Sequence, residues 1–204
     1  MSDWFFQDCI EADLSAFLIS SIESGEISID SRDAYDRTPL MVAIEFEKTE
    51  LVEALLALGG DASGKSSDGE TCLSRAIDRG NFELLKRLVD AGADIELASS
   101  GFCTPLALAA VRGNITMIDY LLQKGANIEA RSEMDETPLI EACFFGHAEA
   151  VAFLLGQGAD RTAKNAFGQT ERGPVFWTGK LMLIYQLVRR VHETHTPPYI
   201  HGRI

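Results

Sequence analysis

Between residues 104 and 130 the chain reads TPLALAAVRGNITMIDYLLQKGANIEA, and its apolar positions fall into two blocks. The first block, from Leu106 to Val111, predicts a short buried helix that ends near Arg112. Thr104 can cap it through its hydroxyl, and Pro105 suits the first helical position, where a missing N–H has no intrahelical partner. Gly113 can close the helix in the left-handed conformation. In the second block Ile115, Ile118, Leu121 and Leu122 lie on one stripe, which predicts an amphipathic helix closed by Gly125. An extended stretch then leads onward. Two helices this short cannot bury their apolar faces alone, so such a unit must stack on copies of itself.

Copies are present. Thr38-Pro39-Leu40, Thr71-Cys72-Leu73, Thr104-Pro105-Leu106 and Thr137-Pro138-Leu139 follow one another at intervals of 33 residues, and Thr170 continues the series with a degenerate sequel. Gly59, Gly92, Gly125 and Gly158 keep the same phase, as do Gly80, Gly113, Gly146 and Gly179. Three markers held in register across most of the chain define a repeat array.

The Thr-Pro-Leu starts, together with GNFELLKRLVDAGAD (80–94), GNITMIDYLLQKGAN (113–127) and GHAEAVAFLLGQGAD (146–160), resemble ankyrin repeats. The resemblance implies an all-α repeat solenoid of stacked helix-turn-helix units joined by β-hairpin fingers. About six units are expected within a single domain, 1–192: an N-terminal cap (1–32), full repeats at 33–65, 66–98, 99–131 and 132–164, a C-terminal cap (165–192), then a tail (193–204). The sequence departs from the pattern in places. Glu47 stands where its counterparts are glycine, which predicts strain of roughly 1 kcal/mol or a reshaped turn. Cys72 replaces the proline, and Met41, Ser74, Ala107 and Ile140 replace the histidine that often follows Thr-Pro-Leu in the family.

Composition adds limits rather than detail. With 204 residues, 46% apolar and 24% charged, the chain is of globular type, and no apolar run approaches a membrane span. The start, MSDWFFQDCI, is acidic where a secretory signal is basic, so no signal peptide and a cytoplasmic location are expected. Cys9, Cys72, Cys103 and Cys143 lack CxxC spacing and read as free thiols, Cys103 on a finger being open to an intermolecular disulfide. The net charge of −13 is uneven: residues 1–63 hold 14 acidic and 3 basic side chains, whereas residues 137–204 hold 5 and 7. An acidic end repels nucleic acid and attracts a basic protein surface, although acidic residues also serve solubility alone.

Two stretches imitate chemistry. GGDASGKS (59–66) satisfies the phosphate-loop pattern G-x-x-x-x-G-K-S/T, which would make the chain a nucleotide-dependent enzyme. Such a loop needs a strand before it and a helix after it. ELVEALLAL before it has helical periodicity, and a finger follows, so the match is read as an accident of phase. In the tail His192 and His195 share a helical face, with His201 further on, but HETH is one residue short of the zinc-protease motif and the tail is read as solvated. No catalytic residue, metal site or cofactor is expected.

The resemblance implies instead a concave groove lined by finger tips and the outer side of the first helices. In phase with those positions are Tyr35, Arg37, Phe46, Asp78, Arg79, Val111, Arg112, Met134, Phe144, Phe145, Phe167 and Trp177. Large apolar groups rimmed by charge there point to a protein-binding surface. Phe144 and Phe145 are about 100° apart on a helix, so one or both can instead tuck against the adjacent unit. The expected function is a non-enzymatic adaptor or inhibitor, monomeric alone, that binds another protein of basic surface and neither membrane nor nucleic acid directly. An acidic mimic that regulates a nucleic-acid-binding protein is the remaining alternative.

Overall fold

The structure is a computed structural model that describes residues 6, 9–10, 12, 14–168 and 170. The helices whose whole extent lies among the described residues are α1 (Ser15–Glu23), α2 (Pro39–Glu45), α3 (Thr49–Ala57), α4 (Cys72–Asp78), α5 (Phe82–Asp90), α6 (Pro105–Val111), α7 (Ile115–Gln123), α8 (Pro138–Phe144) and α9 (Ala148–Gly156). Each full unit pairs a helix of seven residues with one of nine. The threonine series explains where the first helices start. Thr38, Thr71, Thr104 and Thr137 each accept the third amide of the following helix on Oγ1, at 3.0–3.4 Å. Where Cys72 replaces proline, Ser74 returns a hydrogen bond to the Thr71 amide and completes a capping box. Asn81 and Asn114 cap α5 and α7 in the same manner.

First helices pack on first helices in the order α2, α4, α6, α8, and the second helices form a parallel row behind them. One continuous core follows from this, running from Phe6 and Ile10 through Leu55, Leu88 and Leu121 to Leu154 and Ala159. At about 25 cal/mol per Å² of apolar area, burying each leucine contributes roughly 2 kcal/mol, and every unit supplies several. Polar ties spaced by 31 residues repeat along the stack. Asp61, Asp94, Asn127 and Asp160 donate their amides to Asp30, Ser63, Glu96 and Glu129 of the preceding unit. Towards the N-terminus, Leu18 of α1 and Ile27 after it are buried in the same core.

The fingers differ from the strand hairpins that the resemblance implies. Among the described residues no strand forms, and a single bridge joins Lys65 to Thr71. Each finger is a tight turn closed by one rung, such as Ser132 N to Glu136 O at 3.0 Å. Adjacent tips are linked by Ser67 N to Tyr35 O and by Ala166 N to Met134 O, at 3.0 and 2.9 Å. These turns need a left-handed residue, taken by Asp36, Gly69, Asp135 and Gly168 in phase. In the third finger the glycine lies one position early, at Gly101, and the turn becomes a short 3₁₀ segment, Ser100–Phe102. Gly69 is also fixed by space, since a Cβ there would lie 3.2 Å from Ser100 Cα. Glu47 keeps the turn its glycine counterparts make, at φ 56°, so the strain is retained rather than relieved by reshaping. The C-terminal cap beyond residue 170, and with it the count of six units, lies outside the described residues.

Candidate functional site

The residue before each capping threonine, and the fourth and seventh residues after it, share the face between fingers and first helices. In the first unit this face is knit together by charge. Asp33 Oδ1 accepts the amides of Tyr35 and Arg37, both at 2.9 Å, and Oδ2 receives the Arg37 guanidinium at 2.7 Å. The other end of that guanidinium meets Glu45 Oε2 at 2.7 Å, and its plane lies 5.0 Å from the Tyr35 ring centre. Burial works against the charge of Arg37, but the hydrogen bonds to Asp33 and Glu45 outweigh it and its pKa is raised. Arg37 is therefore no surface anchor: it is 7% exposed and holds the finger to α2.

The next unit continues the network. Arg75 reaches back to Glu45 at 3.5 Å and across to Asp68 at 3.9 Å. Arg79 pairs with the Glu47 carboxylate and donates to the Glu45 carbonyl at 2.9 Å. Arg112 meets Asp78 Oδ1 through two nitrogens at 2.9 and 2.8 Å. Asp78, Arg79 and Arg112 are solvent-exposed as the sequence suggests, yet each is already engaged with a neighbouring unit. Phe46 is half-buried and packs on the core.

Beyond Arg112 the ladder stops. Val111 stands in phase with Asp78, and Phe145 in phase with Arg79 and Arg112. Val111 is half-exposed, and its carbonyl meets His147 Nε2 at 2.8 Å. Gly113 is required beneath that imidazole, because a Cβ would lie 2.4 Å from His147 Nδ1. Phe144 and Phe145 are both open to solvent, at 64% and 50%, with their rings 5.3 Å apart edge to face. Met134 and Phe167 project from adjacent finger tips, 54% and 70% exposed, and Tyr35 is 45% exposed at the far end. Trp177 lies outside the described residues.

One feature of this face escaped the sequence. Glu141, in the first turn of α8, is buried, and its carboxyl hydrogen-bonds to that of Glu136. Burial first, then the charge and hydrogen bond of Glu136, push Glu141 up to about 7. Asn165 Nδ2 donates to Glu136 Oε1 at 3.3 Å from the next finger, and among the described residues no ion pair reaches either carboxylate. The available signal was positional: Glu141 is in phase with Val42, Arg75 and Leu108, in a stretch of helix that is otherwise apolar and buried from Pro138 to Ala142. Cys103 is half-buried nearby, and burial, reinforced by Glu141, Asp78 and Glu136, raises its thiol to about 12. Burial likewise raises Cys72 to about 12. Thiols held protonated in this way are poor nucleophiles.

A family model described as ankyrin repeats (3 copies) matches residues 11–99 and 98–165. The chain belongs to the ankyrin-repeat family. Among curated proteins none matches it. Ankyrin repeats are in general protein–protein interaction modules. Among the described residues of this one, no group of three or more histidine, cysteine or acidic side chains is arranged to hold a metal ion, and no helix is long and apolar enough to cross a membrane.

Within this ankyrin array the phosphate-loop look-alike has the surroundings of a repeat junction. Helix α3 precedes it, and Gly59, at φ 89°, closes that helix as Gly92, Gly125 and Gly158 close theirs. The Gly64 and Ser66 amides donate to Asp61 and Glu70 carbonyls, at 3.4 and 2.9 Å, and Lys65 Nζ donates to the Ala98 carbonyl at 2.9 Å. Groups that would cradle a phosphate are instead engaged by the chain itself, the two amides in local turns and Lys65 in a tie to the next unit. His192, His195 and His201 lie outside the described residues.

Proposed function

We propose that this ankyrin-repeat protein is a non-enzymatic adaptor or inhibitor, monomeric alone and cytoplasmic, that binds another protein on the face between its fingers and first helices. The observation that carries this reading is the exposed apolar surface of the fourth unit. Phe144 and Phe145 are 64% and 50% exposed, with Met134 and Phe167 exposed on the flanking fingers. Large apolar groups side by side in water, rimmed by charge, are the usual mark of a protein interaction site, and aromatic anchors carry much of its energy. The acidic first third favours a partner with a basic surface, which it would attract at long range.

The test is to replace both phenylalanines with serine and measure partner capture and thermal stability together. Association is expected to fall at least 100-fold while the melting temperature moves by no more than about 3 °C. A melting point that collapses with binding would make these side chains structural and remove the reading. ATP–magnesium titration addresses the enzyme alternative, because binding lost in Lys65→Ala would replace this proposal.

A further inference from the structure

We propose that the cleft between the first and second units is a binding site for a small neutral aromatic molecule of one or two rings, such as indole. The site lies at the turn end of the helices, away from the fingers, and is independent of the protein-binding reading. Its apolar walls are Ile44 and Val52, both buried, and the half-buried Leu84. Its volume is about 180 Å³. A cavity of about 150 Å³ lined by aliphatic side chains holds one benzene molecule, whereas drug-sized ligands take about 300 Å³ or more. The space therefore fits a ring and little else.

The register of the repeat identifies what the cleft lacks. Thr49 and Arg87 line it. One junction further on, Phe82 and Tyr120 occupy their phases, and those two rings meet edge to face at 5.5 Å. At the junction after that the same phases hold Ile115 and Phe153, both packed against the core. The first junction has a short hydroxyl side chain and a guanidinium where its neighbours set two apolar groups together. A ring entering the cleft takes the place that Phe82 has one repeat later, with Arg87 across from it as Tyr120 is from Phe82. A guanidinium suits that position, because a cation is attracted to the face of an aromatic ring. The same row of helices already uses such contacts: Lys86 Nζ lies 5.6 Å from the Phe82 ring centre, and Lys124 Nζ 5.3 Å from that of Tyr120. Glu47 adds a wall that Gly80 and Gly113, in its phase, do not supply, and it keeps a left-handed backbone to do so. The charges around the cleft are matched, Glu47 with Arg79, and Glu53 and Glu83 with Arg87. A neutral ring leaves these pairs in place, whereas an ion or a peptide amide would be desolvated there without a partner of its own.

Indole titrated into the full chain, labelled at its isoleucine, leucine and valine methyl groups, tests this by nuclear magnetic resonance. Saturable binding is expected with a Kd of about 1 mM or tighter, with through-space transfer from indole protons to the Ile44, Val52 and Leu84 methyls. Thr49→Phe supplies the in-phase ring from the protein itself and should abolish binding with the melting temperature unchanged or raised. Thr49→Val leaves the space open and should bind as the parent does. Arg87→Gln should weaken binding about two- to fivefold, and this variant decides if Thr49→Phe lowers the melting temperature. Transfer to other methyls only, binding that survives both Thr49→Phe and Arg87→Gln, or no binding at about 10 mM indole would overturn the assignment. So would N-acetyltryptophanamide binding as tightly as indole, since the cleft would then belong to an aromatic side chain of a protein partner.

Discussion

The first and fourth units share a backbone plan and differ in what they place on the finger face. In the first, Arg37 is buried between Asp33 and Glu45, and its charge closes the finger onto the helix. In the fourth, Glu136 takes the phase of Arg37, and Glu141 that of Val42, so two acids meet where the first unit has one base and two acids. Phe144 and Phe145 then replace Glu45 and Phe46. The same scaffold thus clasps its finger with an ion pair in one unit and sets two carboxyls together in the other. A repeat fold permits this because stacking depends on the caps and the buried leucines, leaving the finger face free to vary.

The largest expected effect breaks the satisfied end. Arg37→Ala strands the Asp33 carboxylate, whose side chain is 2% exposed, with no base beside it. Removing one partner of a buried pair costs about 3–5 kcal/mol, and the low end applies here because Glu45 is 29% exposed and also reaches Arg75. Urea unfolding should show a loss of about 3 kcal/mol. A loss below about 1 kcal/mol would mean that the network stabilises little and that the contrast between the units is only compositional.

The next largest effect has the opposite sign and belongs to the fourth unit. The folded Glu141 carboxyl titrates at about 7, above its ordinary 4.5, so the fold favours the protonated form. Between these values the native state holds more protons than the unfolded chain. Its contribution is fully present below about pH 4.5 and is lost as pH rises to 7 and beyond. Glu141→Gln keeps the shape and removes the charge. It should stabilise the protein by about 1–3 kcal/mol at pH 8, have little effect at pH 4.5, and flatten the intervening slope. Equal stability of wild type and variant at pH 8 would show that the carboxyl ionises there without cost.

Much of this was readable in the chain before any coordinates. The 33-residue phase fixed the helix pairs, because a capping threonine, a proline at the first helical position and a closing glycine are local devices that act without tertiary context. Pro105–Val111 and Ile115–Gln123 fall where the two apolar blocks place them. The finger face was legible by position and less so by chemistry. Arg37 carries the same charge on a finger tip as in a buried clasp, and only the approach of Asp33 and Glu45 distinguishes the two. The meeting of Glu136 with Glu141 depends on the turn between them, which one-dimensional spacing does not describe. The third finger shows a further limit: moving one glycine by a single residue changed the turn type, although the threonine register stayed intact.

Glu47 sharpens the comparison from the scaffold side. Its left-handed φ of 56° costs a non-glycine residue about 1 kcal/mol, and its carboxylate returns a little through an exposed pair with Arg79. Glu47→Gly should raise stability by roughly 0.5–1 kcal/mol, a shift of about 1–4 °C in a chain this long. A destabilised variant would show that the Arg79 contact outweighs the backbone strain.

The smallest effect comes from extending the ladder of the first units into the fourth. Val111 and Phe145 occupy the phases of Asp78 and Arg112, whose side chains meet at 2.8 Å while 34% and 52% exposed. If successive units stack alike, Val111→Asp with Phe145→Arg should rebuild that pair one repeat further on. Exposed pairs contribute about 0.2–1 kcal/mol, so a double-mutant cycle is the suitable measurement. The coupling energy should fall in that range at low salt and shrink in 1 M salt, where charges are screened beyond about 3 Å. Neither single replacement should cost as much as Arg37→Ala, because both positions are open to water and neither strands a buried charge. A coupling of zero would mean that the fourth unit is set against the third in a different geometry from that of the second and third. The end of the ladder would then be a change in stacking as well as in side chains.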